Sequence, residues 1–155
     1  MKKRSIVLTL ALCLFGLSVG FAAENPNIGT WKLNDAKSKI PAGVGKNTTV
    51  VYTADGDQMK VTTDGVDPSG KPVHSEWTGK FDGKPYPVTG MASVDSRAVT
   101  AKGDRTLEIA NMKDGKTVGS GKVELAKDGK SRTLEIESTT AEGKKYKAKY
   151  VYDKQ

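Results

Sequence analysis

The sequence predicts an all-β protein: an antiparallel up-and-down meander that closes into a barrel of about eight to ten strands. Three observations predict it. First, glycine-marked turns recur at near-even spacing. They are Asp55-Gly56, Ser69-Gly70, Asp82-Gly83, Lys102-Gly103, Asp114-Gly115, Asp128-Gly129 and Glu142-Gly143, with steps of 14, 13, 20, 12, 14 and 14 residues. An acidic or small residue before Gly suits a tight hairpin turn, and each short step leaves room for one strand and its turn. Second, the stretches between turns alternate apolar and polar residues with period two. Third, beyond the N-terminal segment no long window carries helical periodicity, so the crossover helices of a parallel α/β sheet have no sequence to form them.

Residues 1–22 read as an export signal. Lys2, Lys3 and Arg4 form a basic head, Ile6 to Val19 is apolar apart from small residues, and Gly20-Phe21-Ala22 places small residues three and one before a cut ahead of Ala23. The apolar run is short for a bilayer span and no stop-transfer segment follows it. Leu12 stands before Cys13 where lipidation needs a small residue, so no lipid anchor is expected. Cleavage would remove the sole cysteine, excluding disulfide and thiolate chemistry from residues 23–155, which read as one domain. Of 25 basic and 18 acidic residues the head takes three basic ones, leaving 22 − 18 = +4. These features predict a periplasmic or secreted bacterial protein with no transmembrane segment after cleavage.

Nine strands are expected, near 29–34, 47–54, 58–66, 71–81, 91–101, 105–113, 116–126, 131–140 and 144–153. Asp35 to Gly45 has room for one short helical turn before Pro41. Val50 and Tyr52, then Met59 and Val61, mark the inward faces of the second and third strands. Val73, Ser75, Trp77, Gly79 and Phe81 share one face, opposite His74 and Glu76. Lys84 to Gly90, with Pro85 and Pro87, is the least regular stretch and accounts for the 20-residue step. Leu107 and Ile109, and later Leu134 and Ile136, alternate with polar residues. In Thr117 to Ala126 the apolar phase shifts at Gly119-Ser120-Gly121, the signature of a bulge or bend. On the last strand Tyr146, Ala148, Tyr150 and Tyr152 face inward and Lys145, Lys147 and Lys149 face water, where a lysine row also guards an edge. One-sided strands cover their apolar faces by closing into a barrel or packing as two sheets; short hairpins without a long crossover favour the barrel over a β-sandwich.

Ile28-Gly29-Thr30-Trp31-Lys32-Leu33 carries a Gly-x-Trp on the first strand that resembles the lipocalin signature. The fuller Gly-Thr-Trp-Lys-Leu resembles the start of the intracellular fatty-acid-binding proteins, and Tyr150-Val151-Tyr152-Asp153-Lys154 is similar to their closing Arg-x-Tyr-Glu-Lys. Most of the chain also resembles small exported bacterial proteins called lipocalin-like, to which no activity is attached. The resemblance implies a closed barrel carrying a small apolar or amphipathic ligand, with Trp31 plugging one end and the last strand pairing near the first. It departs at Tyr150, which stands where the fatty-acid-binding family has Arg, and in the missing helical lid between Leu33 and Lys46.

Catalytic and metal motifs are not legible. His74 is the only histidine, too few for a zinc site, and reads as a surface residue. No Gly-x-Ser-x-Gly elbow, calcium-loop spacing or glycine-rich phosphate loop is present. Asp55, Asp57, Asp64 and Asp67 read as turn residues. No cofactor, metal or nucleic-acid partner is expected. The inward aromatics Tyr52, Trp77, Phe81, Tyr146, Tyr150 and Tyr152, interleaved with small and hydroxyl residues, are the candidate ligand contacts; a plainly filled core is the other reading of the same pattern. The expected function is therefore a non-catalytic exported binder of a small apolar or amphipathic molecule. The competing reading is an envelope module acting through the lysine row or the Pro85-Tyr86-Pro87 segment. With Tyr150 and Tyr152 in place of an Arg-x-Tyr pair, and no inward cation recognised, a preference for neutral ligands is expected.

Overall fold

The computed structural model describes residues 25–140 and 142–155; the expected export signal lies outside the described residues. Ten strands follow one another: β1 (Gly29–Leu33), β2 (Lys46–Asp55), β3 (Gln58–Val66), β4 (Pro72–Gly79), β5 (Asp82–Thr89), β6 (Ser96–Ala101), β7 (Thr106–Lys113), β8 (Lys116–Leu125), β9 (Ser131–Thr139) and β10 (Lys145–Lys154). Each pairs antiparallel with its neighbours in sequence, and β10 returns to β1, so the sheet is a closed barrel. Closure leaves no edge strand to template aggregation.

The tenth strand corrects the sequence reading. Most of Lys84 to Gly90 is strand: Lys84 to Thr89 belongs to β5, which pairs with β6 at Pro85↔Ala98, Tyr86↔Arg97 and Pro87↔Ser96. The β4–β5 reversal lies at Lys80-Phe81, ahead of the expected turn, and Gly83 sits within β5 beside a register shift between Asp82 and Pro85. The long glycine step from Gly83 to Gly103 hides a further reversal over residues 90–95, so β6 begins at Ser96 and not near residue 91. Two prolines on one strand masked the period-two signal that the other strands display.

Elsewhere the pattern holds. The helical turn expected before Pro41 is a 3-10 turn at Asp35–Lys37, with the Asn34 side chain accepting the Lys37 N–H. The phase shift in β8 coincides with a register break between Asn111 and Met112, opposite Thr117 to Gly119. Inward positions follow the alternation and build the core from Val50, Tyr52, Met59, Val61, Trp77, Val88, Val99, Leu107, Val123, Leu125, Ala148, Tyr150 and Tyr152.

One end of the barrel closes around Trp31, which is 0 % exposed. The Arg132 guanidinium, buried on β9, lies 4.6 Å from the centroid of the Trp31 ring, 4.6 Å from that of Tyr52 and 5.3 Å from that of Tyr152. Lys154 Nζ stands 5.3 Å from the same indole centroid. A cation among π faces replaces lost hydration with attraction to ring quadrupoles, and the effect grows when water is excluded. The indole N–H donates to the Asn27 carbonyl at 2.9 Å, and Asn25 Oδ1 accepts from the Asn27 backbone at 3.0 Å. Strands β1, β2, β9 and β10 thus meet at one aromatic–cation stack. Trp31→Ala removes the indole and strands the guanidinium. Its expected cost is about 3–5 kcal/mol, read as a lower urea midpoint at unchanged m-value, with Trp31→Phe retaining much of the stability.

Candidate functional site

The far half of the interior carries more polar and more partly exposed side chains. Thr63 and Ser75 face each other across β3 and β4, Asn111 is buried on β7, and Ser138 donates to the Val118 carbonyl at 3.1 Å. Ile109, Leu134, Ile136 and Tyr146 point inward yet are only partly buried. Val73 shares the inward face of β4 and is 38 % exposed, the one exposed large hydrophobic among the described residues. An inward valine that still meets water marks an open mouth at this end.

The predicted contacts divide between two groups. Trp77 gathers the first: Phe81 stacks on it at 6.2 Å between centroids and Tyr86 meets it edge-on at 6.1 Å. Phe81 lies in the β4–β5 reversal rather than on a strand. The Trp77 indole N–H donates to the Arg97 carbonyl at 3.1 Å. Tyr150 and Tyr152 stack at 6.5 Å and belong to the closed end with Tyr52. Their hydroxyls donate to the carbonyls of Gly45 and Asn47, each at 3.2 Å, which ties β10 to the chain entering β2. Burial pushes the Tyr150 phenol up to about 12 and that of Tyr152 higher still, the nearby Arg132 charge only partly opposing it. Both stay neutral donors at physiological pH. Tyr146 lines the wall near the mouth, apart from both groups.

The structure brings two further residues into the interior, and they correct the expectation of an uncharged lining: Arg132 and Arg97. Arg97 stands opposite Tyr86 on the inward side of β6. Its Nε donates to Asn111 Oδ1 at 2.7 Å, and Nη2 approaches the Met91 sulfur at 3.8 Å. Burial pulls its guanidinium below the ordinary arginine value, with Tyr52 partly opposing the shift. Arginine nevertheless remains charged. No carboxylate is buried beside it: the buried polar side chains among the described residues are Asn27, Thr63, Asn111 and Arg132. Both arginines were findable by extending the alternation, since Arg97 is in phase with Val99 and Arg132 with Leu134 and Ile136. A charged residue at the end of an apolar series is easily assigned to the adjoining turn.

The outer surface is organised differently. A hollow of about 880 Å³ and a neighbouring one of about 400 Å³ lie over β6 to β10. They are lined largely by outward side chains such as Glu108, Lys122, Glu135 and Lys149, which sit directly across from one another on successive strands. These rows alternate in sign, and Lys147 pairs with Glu137, so the lysine row of β10 is met by acids on β9. Among the described residues no group of three His, Cys, Asp or Glu side chains is arranged to hold a metal.

None of the known family models matches the sequence, and no curated protein matches it. The chain is similar in structure to a redesigned β-barrel, mFAP1, bound to DFHBI, at 15 % identity over 83 % of this chain and 95 % of that one, with a TM-score of 0.43. It is also similar to lobster apocrustacyanin A1, at 12 % identity over 86 % of this chain and 63 % of that one, with a TM-score of 0.43. Apocrustacyanin C1 gives 13 % identity, 84 % and 62 % coverage and a TM-score of 0.44.

His74 lies on the outer wall, as its sequence position indicates. Nδ1 faces Asp64 Oδ1 at 2.6 Å and Nε2 faces Glu76 Oε1 at 3.4 Å. The hydrogen bond to Asp64 and then that to Glu76 raise its pKa above 6.5. A folded-state value above the unfolded one gives stability that is full below about 6.5 and is lost as pH rises through the raised value. His74→Gln should therefore lower the urea midpoint at about pH 5.5 and converge on the parent protein near pH 9. An equal difference at both pH values would contradict this assignment.

Proposed function

We propose that the barrel binds a small amphipathic molecule bearing an anionic group, which pairs with Arg97, and that it catalyses nothing. The observation that carries this reading is the Arg97 guanidinium. It is desolvated and faces inward, and its side-chain partners, Asn111 and Met91, are neutral. A thioether is a weak acceptor, so the terminal nitrogens have donors to spare for a carboxylate, sulfonate or phosphate. Trp77, Tyr86 and Phe81 supply a flat apolar wall nearby, and the exposed inward Val73 marks access from the mouth. The neutral-ligand expectation is replaced because its premise, an interior without a cation, does not hold. The competing envelope-module reading has less support, since the lysine row is offset by Glu137 and Glu135, and Pro85-Tyr86-Pro87 lies within the wall rather than in a loop. The basic head and apolar run of the N-terminal segment support a periplasmic or secreted location as part of the same proposal.

Dodecanoate and its methyl ester, titrated by tryptophan fluorescence at neutral pH, test the reading. A charge-assisted hydrogen bond contributes about 1.5–3 kcal/mol, so the acid should bind roughly 10- to 100-fold more tightly than the ester. Arg97→Met should erase the difference while circular dichroism stays unchanged. Equal or tighter binding of the ester to the parent protein would overturn the proposal.

A further inference from the structure

The barrel wall is not sewn equally all round. β3 and β4 pair continuously from Met59↔Gly79 to Val66↔Pro72. β4 and β5 pair only at Glu76↔Thr89 and Trp77↔Val88. The cause is written in β5. Val88 donates its N–H to the Asp95 carbonyl at 2.9 Å, on the β6 side. Backbone groups alternate direction along a strand, so Pro85 and Pro87 present theirs to β4. Proline has no N–H, and within sheets it is confined to edges or bulges for that reason. The two positions that would extend the pairing beyond Trp77↔Val88 therefore have no donor, and β5 behaves as an edge strand inside a closed sheet. Thr78 and Lys80 turn their backbone groups toward β5: the proline carbonyls can still accept from their N–H groups, but no N–H is there for their own carbonyls.

Side chains close the gap instead. The Tyr86 ring rests against Gly79: a Cβ at that glycine would lie 2.6 Å from Tyr86 Cγ. The Tyr86 hydroxyl donates to Asp82 Oδ2 at 3.0 Å, a residue of its own strand. The ring touches Trp77 edge-on, and the Lys80 backbone N–H just beyond β4 also reaches its hydroxyl. The upper end of the seam is pinned, because Gly90, at φ +79°, brings its Cα so near β4 that a Cβ would lie 2.0 Å from the His74 carbonyl oxygen. Tyr86 is the register partner of Arg97. A slit opened at Tyr86 would therefore lead directly to the guanidinium.

We propose that the lower β4–β5 seam is a lateral passage into the barrel, with Tyr86 as its gate, and that the anionic ligand reaches and leaves Arg97 through it. The passage as a ligand route rests on the function proposed above; the weakness of the seam does not. Opening here breaks the Tyr86 contacts, including the Lys80 N–H on its hydroxyl, and few ladder hydrogen bonds, because β4 and β5 pair at two positions only.

Two measurements test it on the full chain. Amide hydrogen exchange needs no ligand: the Lys80 amide, whose contact is the Tyr86 hydroxyl, should exchange much faster than those of Trp77 and Gly79, which face β3. Comparable protection at all three would overturn the passage. Stopped-flow binding of 1-anilinonaphthalene-8-sulfonate then reads the route. The double variant Pro85→Ala/Pro87→Ala restores both donors, and it should slow association and dissociation together by about tenfold with little change in affinity. Tyr86→Ala should speed both. A fast Lys80 amide with rates unchanged in both variants would overturn the gate. Failure of the probe to bind the parent protein at all would overturn the ligand route together with the proposed function, while amide exchange still decides whether the seam opens.

Discussion

The Arg132 guanidinium, held among Trp31, Tyr52 and Tyr152, is the interaction on which the rest of the barrel depends. A ten-stranded meander has one pairing that its hairpins cannot supply, between the last strand and the first. Here β1 offers only three paired positions to β10, Trp31↔Lys154, Lys32↔Asp153 and Leu33↔Tyr152. So short a seam gains little from its ladder alone. The stack adds a contact shared by four strands, with indole and phenol faces replacing the solvation of the cation. Nη1 of Arg132 is nevertheless buried with no hydrogen-bond partner, a cost the π contacts must offset. Once that end is locked, the tyrosine hydroxyls of β10 can reach the carbonyls of Gly45 and Asn47, and the closure propagates to β2.

This arrangement divides two inward cations, Arg132 buried and Arg97 partly buried, between two tasks. Arg132 is enclosed by rings and spends its charge on architecture. Arg97 has an amide and a thioether for partners and lies toward the open half, near an aromatic wall. In the proposed function an anionic ligand would complete a pairing that the fold leaves half made. On the outer wall over β7 to β10 charges alternate in sign from strand to strand, and Lys122 and Lys147 pair with Glu124 and Glu137.

The barrel, its meander order and the inward aromatics were legible because turn glycines and period-two alternation are local signals, and a hairpin barrel is built from local pairs. The burial of Trp31 was legible for the same reason. Two things were not. β5 was hidden because Pro85 and Pro87 suppress the pattern that announces a strand, although both prolines sit where a one-sided edge tolerates them. The interior arginines were hidden because their role arises across strands: nothing near Arg132 in sequence mentions Trp31, 101 positions earlier, and nothing near Arg97 mentions Asn111. Alternation carried on from Val99 and from Leu134 points both inward, but the sequence reading assigned neither a face. Sequence pattern reads which way a residue points more securely than what it meets there.

The two inward arginines differ in kind: Arg132 is structural, and Arg97 is the proposed anion contact. Nitrogen-15 NMR of the arginine Nε–H groups tests this most directly. The chain has four arginines, Arg4, Arg97, Arg105 and Arg132, so assignment by substitution is simple. On titration with dodecanoate the account predicts that the Arg97 signal shifts in a saturable way while the Arg132 signal stays in place. A shift confined to Arg132, or no shift at either inward arginine when binding is saturated, would contradict it.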